Sequence, residues 1–254
     1  MSKTIFITGA TSGFGKSIAY TFAGHGWRLI LTGRREDRLA AIEQELREQY
    51  GCSVLTLCFD VRDRDETLRQ LQGLPHDWRE IDILVNNAGL ASGLSPFQQG
   101  LFTDWDRMID TNLKGVLNVT RALVEGMIER GRGHIINIGS IAGAWTYPGG
   151  NVYSATKAAI DNLSQGMRID LLPHGIKVTN ISPGAAETEF SLVRFRGDTE
   201  RASSVYEGYE PLQPQDIADA VYFAATRPPH VVLNEIVLTP LAQANPSHWH
   251  KSSK

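Results

Sequence analysis

Short, nearly unbroken apolar runs alternate along the chain with longer stretches in which apolar residues return every three or four positions. The runs Thr4–Thr8, Leu29–Thr32, Val54–Phe59, Ile83–Asn86, His134–Ile138, Lys177–Ile181 and Glu235–Leu238 lack the alternation of a strand with one wet face. They predict strands of a parallel sheet covered on both sides. The stretches Gly13–Ala23, Arg35–Tyr50, Asp63–Leu71, Thr103–Arg130, Asn151–Leu172 and Pro214–Ala225 carry the helical period. Glycine and proline punctuate them: Gly24 and Gly26 stop the first helix, Gly51 the second, and Pro173 with Gly175 the long fifth. Strand–helix alternation of this kind predicts an α/β fold, a doubly wound seven-stranded parallel sheet with right-handed crossovers and helices on both faces. With no repeat and no linker, residues 1–254 are expected to form a single domain.

The stretch 183–211 breaks this rhythm. Rich in charge and glycine, it leaves the C-terminal end of a strand, where open α/β sheets bind ligands, so a lid is expected there; a variable surface insertion is the alternative. Charge adds an exclusion: 25 Lys+Arg against 28 Asp+Glu leave a net −3 and no chain-wide basic field for nucleic acid. No apolar run approaches the roughly 20 residues of a membrane span, and Met1-Ser2-Lys3 leads straight into a strand without a leader, so a cytoplasmic protein without membrane partners is expected. Cys52 and Cys58 have neither zinc nor disulfide spacing. His248-Trp249-His250 offers too few ligands for zinc, and no metal is expected; that tail is expected to lie against another subunit or to be disordered.

The first strand runs into Gly9-Ala10-Thr11-Ser12-Gly13-Phe14-Gly15. Glycines bring backbone close to phosphate, and the helix that follows presents unpaired N–H groups and a positive dipole end. Strand, glycine turn and helix together are the context of a dinucleotide site, although the spacing is T-G-x-x-x-G-x-G. The second strand ends in Gly33-Arg34-Arg35. An acid there would take the ribose 2′-OH of NAD, whereas paired guanidiniums match a 2′-phosphate, so NADP is expected as cofactor. Asp60, followed by Val61, could accept from an adenine amino group or cap the helix beginning near Asp63. Asn86-Asn87-Ala88-Gly89 ends the fourth strand at the same edge, with small residues leaving room for the cofactor and the Asn87 amide able to pin a neighbouring turn.

Tyr153 and Lys157 lie four apart on a helix and share a face, and Ser140 follows the fifth strand. With T-G-A-T-S-G-F-G at Thr8–Gly15, N-N-A-G at Asn86–Gly89, Asn112, Y-S-A-T-K at Tyr153–Lys157 and Pro183-Gly184, all in order, the whole chain resembles a typical short-chain dehydrogenase/reductase with a Rossmann-type domain. The resemblance implies Asn112, Ser140, Tyr153 and Lys157 as the catalytic group. Tyr153 would be the general acid/base, Lys157 would lower its pKa and hold the nicotinamide ribose, and Ser140 would bond the reacting oxygen. Asn112 would kink its helix and hold a relay water. Drawing a phenol from about 10 to neutrality takes about 4 kcal/mol of differential stabilisation. The loop Pro183, Gly184, Ala185, Ala186 and Thr188 would meet the nicotinamide end, although Glu187 stands where a small or apolar residue is expected.

The runs Gly33–Arg35, Ile81–Leu90, His134–Ser140, Gly149–Tyr153 and Thr188–Asp198 are further similar to NADP-dependent 3-hydroxy acid dehydrogenases, the branch of serine and L-allo-threonine dehydrogenases. A small hydroxy acid or carbonyl substrate is thereby implied, with Ser140 and Tyr153 at its reacting oxygen. Its carboxylate needs a cation, which Arg194 or Arg196 in the 183–211 stretch could supply. A broad NADP-dependent carbonyl reductase, or a cofactor-binding sensor that has lost catalysis, are the alternatives. The resemblance also implies self-association, to a homotetramer or a dimer, through the long helices.

Overall fold

The computed structural model describes residues 2–252; Met1, Ser253 and Lys254 lie outside the described residues. Seven strands, β1 (Thr4–Ile7), β2 (Arg28–Gly33), β3 (Val54–Cys58), β4 (Ile83–Asn86), β5 (Gly133–Ile138), β6 (Ile176–Pro183) and β7 (Glu235–Leu238), form one parallel sheet in the order β3-β2-β1-β4-β5-β6-β7. The expected doubly wound sheet is thus present, with strand ends shifted by a residue or two. The order reverses at β1, and β1 pairs with both β2 and β4. Chain leaving β1 and chain leaving β4 therefore part in opposite directions and open a crevice at their C-terminal ends.

Two apolar clusters clothe the sheet. One packs α1 (Gly13–Gly24), α2 (Glu36–Tyr50) and α10 (Pro214–Ala225) around Phe22, Leu31 and Ile217. The other packs α3 (Arg64–Gln72), α5 (Gly115–Glu129) and α7 (Asn151–Leu171) around Phe6, Leu84 and Met127. The expected helix Thr103–Arg130 is present as α4 (Phe102–Ile109) and α5, which run on into one another through one π-helical turn, Asp110–Lys114. That extra residue per turn swings Asn112 inward, where it is buried and its amide bonds the backbone of Leu90.

A short α6 (Ile141–Ala144) follows β5, and α8 (Glu189–Arg194) and α9 (Thr199–Ser204) occupy the stretch after β6. Of the two states expected for the C-terminal tail, disorder does not hold. The tail folds back on its own chain as a small hairpin, β8 (Gln243–Asn245) against β9 (His248–Trp249), with Trp249 packed on Tyr209 at 4.9 Å between ring centroids. Two indole and phenol faces bury more apolar area together than either would in water. Among the described residues no helix is long and apolar enough to cross a membrane, and no group of His, Cys, Asp and Glu could hold a metal ion.

His134 sits buried in β5 with Nε2 2.7 Å from the Thr179 hydroxyl of β6. Burial, reinforced by the Lys177 charge, pushes its pKa down to about 3. In the unfolded chain it takes a proton near 6.5, so between 6.5 and about 3 only the unfolded state is protonated and stability falls as pH falls. Urea unfolding from pH 7.5 to 5 should lose up to about 1.4 kcal/mol per pH unit below 6.5 from this group. The loss should be shallower in His134→Gln; equal slopes for the two proteins would show that His134 is not held neutral.

Candidate active site

A cleft of about 440 Å³ opens at the C-terminal edge of the sheet and runs from Gly13 past Tyr153 to Trp249. Its floor at one end is the glycine turn. Gly9 and Gly13 adopt the left-handed region at φ 68° and 50°, which lets the chain double back from β1 into α1. Gly15 packs rather than lines: a Cβ there would press on the Gly9 carbonyl and stand 2.5 Å from Asn87 Nδ2. Ala10 is likewise buried, its N–H given to Thr32 O at 2.9 Å, while Thr11, Ser12, Gly13 and Phe14 face the cleft. No side chain caps α1 and its first turn holds no acid, so its N–H groups are left for an anion. By contrast α3 is capped by its own Asp63, which accepts from Glu66 N at 3.0 Å.

Arg34 and Arg35 both line the cleft. Arg35 arches over the turn, donating to Thr11 Oγ1 at 2.8 Å and Ser12 Oγ at 2.9 Å. Arg34 stands 3.7 Å from Asp60. Asp60 is no helix cap; its carboxylate accepts from the Arg62 guanidinium, at 2.9 and 2.6 Å to Oδ2, and from Arg62 N at 3.1 Å to Oδ1. Although burial raises it, the Arg62 bonds and charge hold the Asp60 carboxyl below its usual range. Val61 and Asn87 are on the cleft wall, and Asn87 Nδ2 donates to Thr8 O at 2.8 Å, tying the end of β1 to the end of β4.

The other end of the cleft collects Ser140, Tyr153 and Lys157. Ser140 caps α6, accepting from Ala142 N at 3.1 Å. Lys157 is buried and gives Nζ to Ile138 O at 2.8 Å; burial draws its pKa down to about 8, against the opposing pull of Asp161. Tyr153 moves the other way from the expected lowering. Burial and the nearby Tyr147 hydroxyl push it up to about 12, against Arg194 and Ser140. Lys157 Nζ lies 6.0 Å from the Tyr153 ring centroid, and the burial outweighs the opposing groups. In this state Tyr153 is a proton donor.

Asn112 does not reach the cleft wall. Its amide clamps Leu90, accepting from Leu90 N and donating to Leu90 O at 2.8 Å each, and donates to Thr156 Oγ1 of α7 at 3.1 Å. Of the two arginines expected to meet a substrate carboxylate, Arg194 faces the cleft and Arg196 turns away to Asp104 at 2.7 Å. Arg194 lies 5.2 Å from the Tyr153 ring centroid and 5.3 Å from that of Phe190, donates to the Tyr147 hydroxyl, and keeps a buried Nε without a partner. Pro183, Gly184, Ala185, Ala186 and Thr188 all line the cleft, whereas Glu187 is exposed and meets Gln213 at 3.3 Å.

The family model of short chain dehydrogenases matches residues 3–197. The chain belongs to the short-chain dehydrogenase/reductase family. It is 50% identical over 241 residues to the NADP-dependent 3-hydroxy acid dehydrogenase of Salmonella typhi, covering 94% of this chain and 96% of that one. It is 46% identical over 244 residues to the serine 3-dehydrogenase of Rhizobium radiobacter, covering 96% of each. A solved closed form of serine dehydrogenase complexed with NADP+ superposes with a TM-score of 0.91 at 44% identity, over 99% of this chain and 100% of that one.

As a family member the chain needs a dinucleotide site, and its residues fit one. The uncapped α1, the arginines at the rim, and the partnerless hydroxyls of Thr32 and Thr111 on the cleft wall form a donor set suited to a phosphorylated ligand. Several wall residues carry no sequence motif. Tyr147 and Phe190 are singled out only by their packing against Arg194 and Tyr153, and Trp249 only because it lines the cleft from the tail, beside Tyr209. Gln243, from the tail, accepts from Ala185 N at 2.8 Å and so pins the loop after β6.

Asn112→Ala would strand both backbone groups of Leu90, which lies buried. A loss of about 2–4 kcal/mol in unfolding free energy is expected from the two orphaned groups. Denaturant unfolding checks this; a loss under about 1 kcal/mol would mean that solvent replaces the clamp.

Proposed function

We propose that this protein is an NADP-dependent oxidoreductase that oxidises the 3-hydroxyl of small 3-hydroxy acids, of the serine, allo-threonine, 3-hydroxyisobutyrate or 3-hydroxypropionate type, and reduces the matching 3-oxo acids. The dehydrogenase relatives support the reaction, and the observation that carries the substrate class is Arg194. A guanidinium with a free buried Nε, set against the ring of Tyr153 in an otherwise aromatic wall, asks for an anion one side chain away from the reacting carbon.

NADP, when bound, supplies or accepts the hydride. Arg34 and Arg35 hold its 2′-phosphate side, the glycine turn and the α1 N-terminus its pyrophosphate, and Lys157 its nicotinamide ribose. Tyr153, protonated by virtue of its burial, would give its proton to the carbonyl oxygen in reduction; in oxidation the phenolate left by loss of that proton would take the hydroxyl proton and restore the phenol. Ser140 bonds that oxygen and stabilises the charge on it. Asn112 holds the Leu90 loop and α7 in register and so positions Tyr153. The stretch 183–211, which carries α8 and α9, is the lid, and 1–254 acts as one domain. The protein works in the cytoplasm and self-associates as a homotetramer.

Steady-state rates for L-serine, allo-threonine, 3-hydroxyisobutyrate and 3-hydroxypropionate, with NADP and NAD in parallel, test the reading. Turnover with NADP is expected, with kcat falling by about 10³-fold or more in Tyr153→Phe. A kcat/KM for NAD equal to that for NADP would overturn the coenzyme assignment. Turnover of esters as fast as of free acids would favour a broad carbonyl reductase. Arg194→Met should raise KM for the acids by about 10- to 100-fold, the cost of one charge-assisted hydrogen-bonded contact. An unchanged KM would remove Arg194 from the substrate site.

A further inference from the structure

Glu189, the first residue of α8, sits across the coenzyme rim. Its Oε2 accepts from Arg35 Nη1 at 3.0 Å and its Oε1 from Arg38 Nη1 at 2.7 Å. One carboxylate thus spans two guanidiniums that rise from the end of β2 and the first turn of α2. Arg35 is tied at the same time to Thr11 and Ser12 of the glycine turn. Thr188, capping α8 by accepting from Phe190 N at 3.1 Å, rests against Gly13, where a Cβ would stand 3.4 Å from it. The first turn of α8 is therefore stapled to the phosphate-binding end of the cleft through the very arginine expected to read the 2′-phosphate.

A carboxylate brings one negative charge and two acceptor oxygens. A phosphomonoester brings about 1.5 to 2 negative charges and three acceptors at neutral pH, and its geometry matches guanidinium forks as well. The stronger anion takes the arginines when both are offered. All three side chains are between a third and a half exposed, so the exchange costs little desolvation. That the Arg38 and Arg35 bonds hold the Glu189 carboxyl below its usual range, although burial raises it, agrees with a fully charged latch at neutral pH.

We propose that Glu189 is an internal stand-in for the coenzyme 2′-phosphate: it occupies Arg35 and Arg38, and the 2′-phosphate displaces it from both. Arg38 is then a coenzyme-binding residue, and Glu189 sets how strongly the protein prefers a 2′-phosphorylated nucleotide. The same displacement frees the first turn of α8 from the glycine turn. The inference rests on the NADP reading above.

Calorimetric titration of the full chain with 2′,5′-ADP and with 5′-ADP tests it without turnover, because only the first nucleotide carries the 2′-phosphate. In Glu189→Gln the affinity for 2′,5′-ADP should rise by about three- to fivefold, as expected for removing a competing half-exposed ion pair, with 5′-ADP unchanged. In Arg38→Gln the affinity for 2′,5′-ADP should fall by a similar factor, again with 5′-ADP unchanged. Unfolding midpoints matching the parent protein confirm that both variants fold. Glu189→Gln binding 2′,5′-ADP no more tightly than the parent, or Arg38→Gln binding it no less tightly, overturns the proposal while leaving the NADP reading intact. A parent protein that binds the two nucleotides equally overturns both.

Discussion

Parallel strands end with peptide groups that the sheet no longer pairs, and at the β1/β4 switch these ends lie next to an open crevice. Buried side-chain amides and hydroxyls take up the slack there. Thr8 Oγ1 accepts from Asn87 N and Ala88 N at 2.9 Å each, and Asn86 Nδ2 donates to Thr120 at 2.9 Å and to Asn137 at 2.8 Å. Asn137 passes the connection to Ser164 of α7 at 2.8 Å. Each such group left unpaired in the interior costs about 1–3 kcal/mol, so the network specifies one arrangement of the strand ends. The glycine turn, the loop after β4 and the helix carrying Tyr153 all hang from it.

The helix α7 shows how that constraint becomes a site. It is tied at three levels, to the π-helical turn by Thr156 and Asn112, and to β5 by Lys157 with Ile138 O and Ser164 with Asn137. Tyr153 and Lys157 are therefore held on a rigid element while Ser140 caps α6 opposite them. The same burial that fixes them moves their proton affinities in opposite directions, Tyr153 up to about 12 and Lys157 down to about 8. Low dielectric penalises charge on either, and it amplifies the charge of any cation placed beside the phenol. The cationic residues are divided between two ends of the cleft: Arg34 and Arg35 at the phosphate turn, and Arg194 among the aromatic rings near Tyr153. An anionic substrate and the three phosphates of NADP would be separated along one groove by that division.

Apolar runs and glycine punctuation determined the layered parallel sheet, because strands buried on both faces leave an unbroken hydrophobic signature and helices a period of 3.6. Short motifs marked the turn, the Ser140–Tyr153–Lys157 set and the rim arginines, since backbone approach and helix-face spacing are local properties of the chain. Tertiary structure decided what long-range contacts decide. It widened one turn of the helix expected over Thr103–Arg130, at Asp110–Lys114, where the Asn112 amide meets the backbone of Leu90, 22 residues earlier. It folded the tail expected at a neighbour or in disorder onto Tyr209, turned Arg194 inward and Arg196 outward, and set Glu189 between Arg35 and Arg38, 154 and 151 residues away in sequence. None of these pairings has a period or a spacing to read, since each depends on where two distant segments meet on the folded surface.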